Sequence, residues 1–312
     1  MSLRGHRMSL PEPPETAQTA QTIWDGLALD LPPAWEPARL GLGYARFEDA
    51  SGLRLTLRWQ RLKKPASPEK VLKGLSRRKK LRLADKPTGA VAAILHALPS
   101  ECGALPCSDV AGQGADAVLF VLPGAPTAVL AAPHARPGEK AASWTRAMET
   151  LAPADPGAFS LFDVSGQAPS GFSLAAFSVQ LGHFHFRYRR GGETLDYYRF
   201  APAEVILRQT SLDSWAGGVF AQSLGKAPKT LMFAPGEFDG FPAARHATGD
   251  TPGLARSLRS MAARVFAGAR FARALAWRPD EHKILAAVAF HRGQLAEPQF
   301  EEVCRRYVLR TS

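Results

Sequence analysis

Hydrophobic and polar residues alternate most cleanly over residues 53–59, where Leu53, Leu55, Leu57 and Trp59 share one face and Arg54, Thr56, Arg58 and Gln60 the other. A period of two marks a half-buried strand. The 44–47 stretch ahead of it, joined through a turn at Ser51-Gly52, completes a hairpin. Upstream, Leu27, Leu29 and Leu31 alternate with Ala28 and Asp30 until the Pro32-Pro33 pair ends the run. Downstream, Ser67-Pro68-Glu69 supplies an N-cap, a proline at the first helical position and an early acid. These open a helix carrying Val71, Leu72 and Leu75. After an apolar run at 90–98, the segments 117–122 and 127–132 flank Pro123-Gly124-Ala125-Pro126 and read as a second hairpin. A helix over 139–151 follows, with Trp144, Met148 and Leu151 at i, i+4 and i+7.

The second half repeats this pattern. Gly43 and Gly52 bound one strand-like segment, with Trp59 after it; Gly182 and Gly191 bound another, His183-Phe184-His185-Phe186-Arg187-Tyr188-Arg189, with Tyr198 after it. Pro32 to Trp35 answers Pro169 to Phe172, and Pro68 with Val71-Leu72 answers Pro202 with Val205-Ile206. Segments 271–277 and 284–290, parted by Arg278-Pro279-Asp280-Glu281, precede a helix bearing Phe300, Val303, Cys304, Tyr307 and Val308. The expectation is an α+β fold of two similar halves, each an antiparallel sheet with helices packed on it, in the order strands, helix, hairpin, terminal helix. Residues 1–21, rich in Pro, Glu, Thr and Gln, read as a disordered arm. The first α+β unit then spans 22–154 and the second 155–312, with turn residues clustered at 153–157. An insertion at about 210–270 includes a helix opened by Thr251-Pro252 with Leu254, Leu258, Met261 and Val265 in register.

Charge sharpens the picture. The 312 residues carry a formal net charge of +11. Residues 54–86 hold thirteen basic side chains and two acidic ones, so this segment contains the whole excess and the rest is balanced. Concentrated charge is the footprint of a surface that meets a polyanion or an acidic partner. Arg54 and Arg58 lie on the polar face of the clean strand; Lys70, Lys73, Arg77 and Lys80 follow at i, i+3, i+7 and i+10, with Arg78 and Lys79 beside them. The matching stretch of the second half, 202–214, has only Glu204, Arg208 and Asp213 as charges. With 46% hydrophobic residues the chain can bury a core, and no run of 18 apolar residues is present to span a membrane as a helix. Three cysteines and no apolar leader point to a cytoplasmic protein.

Chemical motifs are sparse. Gly112-Gln113-Gly114-Ala115-Asp116-Ala117 fits G-x-G-x-x-A, but a β-like run follows where a dinucleotide site needs a helix. Cys102 and Cys107 have four residues between them and no partner pair, which reads as two reduced cysteines in a loop; Cys304 sits on an apolar stripe and reads as core. His183 and His185 share a strand face with Arg187, whose charge opposes a metal cation. No catalytic residue, metal or cofactor is assigned. Glu237, Asp239 and Asp250 are acids of the inserted region with no evident partner.

The stretch Leu-Ala-Leu-Asp-Leu-Pro-Pro-Ala-Trp at 27–35, followed by Phe47-Glu48-Asp49 and the 53–59 strand, resembles the opening of PsbP-like and DcrB-type domains, here in tandem. The resemblance implies an α/β/α sandwich on an antiparallel sheet and non-enzymatic protein binding, and transfers no site residue. The leading expectation is a non-catalytic protein-interaction module whose basic surface meets an acidic protein. Two alternatives are nucleic-acid binding through the basic strand and helix, and a small-molecule enzyme or binder using a cleft between the halves lined by His183, His185 and Arg187.

Overall fold

The computed structural model describes residues 21–77, 81–84, 87, 89–109, 117–136, 142–221, 232–247, 271–291 and 297–310. Among these, 48% lie in strands and 22% in helices, and the strands form three antiparallel sheets. The central sheet has six strands in the order β10 (Ala152–Pro153), β2 (Leu27–Asp30), β1 (Gln21–Trp24), β11 (Ala158–Leu161), β12 (Val164–Gln167) and β20 (Val308–Leu309). The first seven-stranded sheet runs β3 (Glu36–Gly41), β4 (Tyr44–Asp49), β5 (Gly52–Arg61), β9 (Thr127–Pro133), β8 (Ala117–Val121), β7 (Leu105–Asp109) and β6 (Leu81–Leu83). The second runs β13 (Ser173–Gln180), β14 (His183–Arg190), β15 (Glu193–Phe200), β19 (Ile284–His291), β18 (Phe271–Trp277), β17 (Phe241–Ala247) and β16 (Ala234–Phe238). Helices α1 (Pro68–Arg77), α2 (Gly89–Ala97), α3 (Ala142–Glu149), α4 (Ala203–Ile206), α5 (Leu212–Phe220) and α6 (Glu297–Arg305) pack around them.

The expected α+β fold of two similar halves is therefore corrected: the protein is mostly β and built on three sheets. The two seven-stranded sheets share a strand order, but their surroundings differ. Between β6 and β7 lies α2, packed against α3, whereas β16 passes to β17 through the Asp239-Gly240 turn alone. The central sheet belongs to neither half, because Ile23 of β1 pairs with Ser160 of β11. The stretch expected as an insertion supplies α5, β16 and β17, the last paired along its length with β18. The helix expected from Thr251 lies outside the described residues, as does the arm expected at 1–21 except for Gln21, which opens β1.

Local chemistry explains the elements. In β5, Leu55 and Leu57 point into a core completed by Leu27 and Leu29 of β2, Val91 and Ile94 of α2, and Trp144 and Met148 of α3. The second core joins Phe186, Tyr188 and Tyr197 of the other large sheet to Phe159 of β11 and to Phe300 and Cys304 of α6. Trp24 of β1 enters this second core, edge-on to Phe177 at 4.9 Å and Phe186 at 5.8 Å, while its indole N–H donates to the Gly41 carbonyl at 2.9 Å. One hairpin thus holds both cores together.

Each central turn is tied to a large sheet by an aspartate. Asp25 accepts the Gly43 N–H at 2.6 Å, and the Trp59 indole donates to the Asp25 carbonyl at 3.0 Å. Burial raises the Asp25 carboxyl above its usual range, against the pull of the Gly43 N–H and Arg61. Gly43 has φ +64°, and a Cβ there would stand 2.4 Å from the Trp59 carbonyl oxygen, so only glycine fits. Asp163, between β11 and β12, binds Arg199 at 2.6 Å and Lys283 at 3.1 Å. Burial opposes its charge, but the two cations outweigh it and hold its carboxyl below the usual range.

Candidate functional site

The outer face of the first seven-stranded sheet is half covered. Val71, Leu72 and Leu75 of α1 seat on Leu81, Cys107 and Leu119, with Leu105 and Leu130 at the margin. The helix begins where the sequence signals it: Pro68 is its first residue, and the Ser67 carbonyl accepts the Val71 N–H at 3.1 Å. A hydrogen bond from the Ser67 side chain holds Glu69 below the usual carboxylate range. This seating turns Lys70 and Lys73 outward, both exposed, and the linker ahead of the helix exposes Lys63 and Lys64. Arg58 stands opposite Leu130, at the edge of the covered half, exposed over the Tyr44 ring at 5.8 Å. Lys63, Lys64, Lys70, Lys73 and Arg58 have no carboxylate in ion-pair range among the described residues.

Arg54 departs from the expected surface. It lies at the irregularity where β4 and β5 change register, is 7% exposed, and bonds Asp49 through Nε at 2.5 Å. Desolvation works against the Asp49 charge, but bonds from Arg54 and the Ser51 N–H keep the carboxyl below its usual range. A guanidinium engaged this way is structural, not a free cation for a partner. The side chain of Arg77 and the whole of Arg78, Lys79 and Lys80 lie outside the described residues; α1 is described as far as Arg77.

On the second large sheet, His183, His185 and Arg187 share the outer face of β14. Opposite them stands an acid that belongs to no motif. Asp196 of β15 is fully buried and accepts Arg187 Nε at 2.7 Å and Nη2 at 3.2 Å, with His185 Nε2 at 3.0 Å. Its trace in the sequence is a single acid inside Leu195-Asp196-Tyr197-Tyr198. The Asp196 bond raises the Arg187 pKa further. His185 lies parallel to Tyr198 with centroids 4.4 Å apart, and His183 packs on Phe200 at 4.8 Å. From α5, Phe220 and Trp215 close over Tyr198 and Phe200.

Two concavities stand apart from this arrangement. A cleft of about 650 Å3 lies between 34–38 and 48–51, with Glu36, Glu48 and Asp49 on its wall; a cavity of about 70 Å3 lies under Phe172, Leu195, Phe300 and Val303. Neither includes His183, His185 or Arg187. His185 and Arg187 are drawn to Asp196, because the charge of a buried carboxylate must be matched, while His183 packs on Phe200. Among the described residues no three His, Cys, Asp or Glu side chains are grouped to hold a metal ion. Cys102 and Cys107 are free and buried, the first in a short helical turn and the second within β7, so the expected loop placement is also corrected. Burial pushes the Cys107 thiol up to about 11, which leaves it unreactive at neutral pH. Cys304 is buried in the core, as its stripe indicates. Glu237 is exposed and Asp239 pairs with Arg305 at 3.2 Å, while Asp250 and the 112–116 glycine motif lie outside the described residues.

Three histidines carry a pH signature. Burial lowers the pKa of His134, His183 and His291, with the positive charge of Arg46 adding to the effect on His134. Unfolded imidazoles titrate near 6.5, so below that pH the unfolded chain takes up protons that the folded one resists. Stability is then full above about pH 6.5 and falls as pH drops through it. The urea midpoint is expected to be lower at pH 6.0 than at pH 7.5, and His134→Gln to narrow the gap; a flat midpoint would refute the assignment.

No helix among the described residues is long and apolar enough to cross a membrane. No protein-family model matches the sequence, and a search of curated proteins finds no match.

Proposed function

We propose that the protein is a non-catalytic binding module that docks an acidic protein through the basic face formed by β5, the 62–67 linker and α1. The observation that carries this reading is a contrast in pairing. Several arginines elsewhere are engaged: Arg54 with Asp49, Arg187 with Asp196, Arg199 with Asp163, Arg245 with Glu297. On this face Arg58, Lys63, Lys64, Lys70 and Lys73 are exposed and without a carboxylate in range among the described residues. Like charges one helical turn apart cost about 0.2–0.5 kcal/mol per pair, a cost that an anionic partner removes. The PsbP-like resemblance points to the same kind of role.

Reversing Lys63, Lys64, Lys70 and Lys73 to glutamate is expected to abolish capture of the partner while leaving the circular dichroism spectrum and melting temperature unchanged. Capture by the unaltered protein should weaken steeply between 50 and 300 mM salt and survive nuclease treatment. An unchanged partner set in the reversed variant would sink the proposal, and loss on nuclease treatment would favour nucleic acid instead.

A further inference from the structure

The uncovered half of the same face has a second arrangement, centred on arginines rather than lysines. Ala45, Phe47, Leu55 and Leu57 point inward, which leaves Tyr44, Arg46, Thr56 and Arg58 outward on β4 and β5. Arg39 of the edge strand β3 stands directly across from Arg46, and Arg46 is diagonal to Arg58, since Arg46 faces Thr56 and Tyr44 faces Arg58. Directly opposed side chains start about 5 Å apart at Cβ and diagonal ones about 7–8 Å. Three long guanidinium side chains therefore rise from neighbouring points, within reach of one small ligand. Like charges directly opposite each other are unfavourable unless something between them is negative.

Arg46 supplies an independent sign. Its Nε is buried and has no hydrogen-bond partner. A buried donor left unpaired is uncommon in a folded protein and calls for an acceptor. Among the described residues the one carboxylate in ion-pair range of Arg39, Arg46 or Arg58 is Glu48, which lies 3.8 Å from Arg46 Nη2 and itself faces Glu36. Arg54 does not contribute, being engaged by Asp49. Beside Arg46, Thr56 Oγ1 and His134 Nε2 are 3.0 Å apart, adding a hydroxyl and an imidazole but no acid. Tyr44 lies under the Arg58 guanidinium and holds it over the face.

We infer that Arg39, Arg46 and Arg58 form a binding site for a phosphate monoester carried by the acidic partner. Resting on the docking reading above, the inference names the group that anchors the partner. Guanidinium forks match the oxygens of a tetrahedral oxyanion two at a time, which a carboxylate satisfies once only. A dianion offsets two of the three charges and meets the exposed part of the Arg46 side chain, which is 32% accessible. Lys70 and Lys73 then meet acidic residues that flank the phosphorylated side chain.

The test uses the full chain at fixed ionic strength, with three probes measured by calorimetry. These are an acidic peptide containing one phosphoserine, the same peptide unphosphorylated, and inorganic phosphate. The phosphopeptide is expected to bind at least tenfold more tightly than the unphosphorylated peptide. Arg46→Gln should weaken phosphopeptide and inorganic phosphate alike by tenfold or more, and Arg46→Lys, which keeps the charge but not the fork, should recover only part. Lys70→Gln with Lys73→Gln should weaken the phosphopeptide several-fold and leave inorganic phosphate unchanged. Equal binding of the two peptides overturns the inference, as does full binding by a folded Arg46→Gln protein. Inorganic phosphate binding as tightly as the phosphopeptide overturns the partner-borne source. The two proposals fail separately: phosphate binding that needs Arg46, in a protein that captures no partner, removes the docking reading alone, whereas partner capture without preference for phosphate removes this one alone.

Discussion

Replacing Trp24 by alanine is expected to lower the unfolding free energy by about 3–5 kcal/mol, the usual cost of emptying a tryptophan site in a core. The site explains the size. Trp24 is 2% exposed, and its ring lies edge-on to Phe177 and Phe186 in the core of the second large sheet. Its indole N–H satisfies the Gly41 carbonyl at the tip of the first sheet's outer hairpin. The substitution therefore removes packing on one side and a hydrogen bond on the other. Urea denaturation followed by far-ultraviolet circular dichroism measures the loss. Trp24→Phe should restore most of the packing and leave about 1 kcal/mol, the net worth of the hydrogen bond. A loss under about 1 kcal/mol for the alanine variant would show that the seam is held elsewhere, since core truncations of aromatic residues normally cost several times that.

The second large effect belongs to Asp196. Truncation to alanine leaves Arg187 and His185 without their shared acceptor, and is expected to cost about 2–4 kcal/mol. That lies below the ~3–5 kcal/mol of breaking a fully enclosed pair. The reason is that the Arg187 side chain is 33% exposed and recovers water when released, whereas Asp196 is sealed. Joint replacement, Arg187→Met with Asp196→Leu, should restore most of the loss, because apolar groups of similar volume need no compensation. A double-mutant cycle reads the coupling. If Asp196→Ala and Arg187→Met are additive, the two residues do not act as a pair.

Sequence periodicity revealed the strands whose two faces differ. β5 alternates from Leu55 onward, broken only at the buried Arg54, and the Ser67-Pro68-Glu69 start of α1 stands at the position expected. The hairpins at 117–133 and 271–291 are also in place. Missed elements share a physical reason. β6 has three residues, β7 contains Pro106, and β16 reads Ala-Pro-Gly-Glu-Phe, so none is long enough or regular enough to show a period. The apolar run of α2, Ala-Val-Ala-Ala-Ile-Leu, has no polar face from which a period could be read. Without those pieces the chain reads as evenly mixed α+β, and the weight of the sheets is lost. Pairing was out of reach for another reason: β5 lies beside β9, and β1 beside β11, through contacts that no local pattern encodes. The basic face was partly legible. Charge counting found Arg58, Lys70 and Lys73, but burial of Arg54 depends on a register irregularity, and the Arg39–Arg46 opposition depends on how β3 meets β4.

The central sheet has a kinetic consequence. During synthesis the β1–β2 hairpin emerges early, yet the edge of β1 stays unpaired until residues 158–161 leave the ribosome, since Ile23 meets Ser160. Trp24 waits longer still, because Phe177 and Phe186, the rings edge-on to it in the finished core, belong to β13 and β14. An open strand edge beside an exposed indole is a template for pairing with another nascent chain. The first large sheet can close over its own core before that point, but the seam cannot. The interval between those two events is when the growing polypeptide is most exposed to aggregation; β11 closes the strand edge, and β13 and β14 then cover the indole.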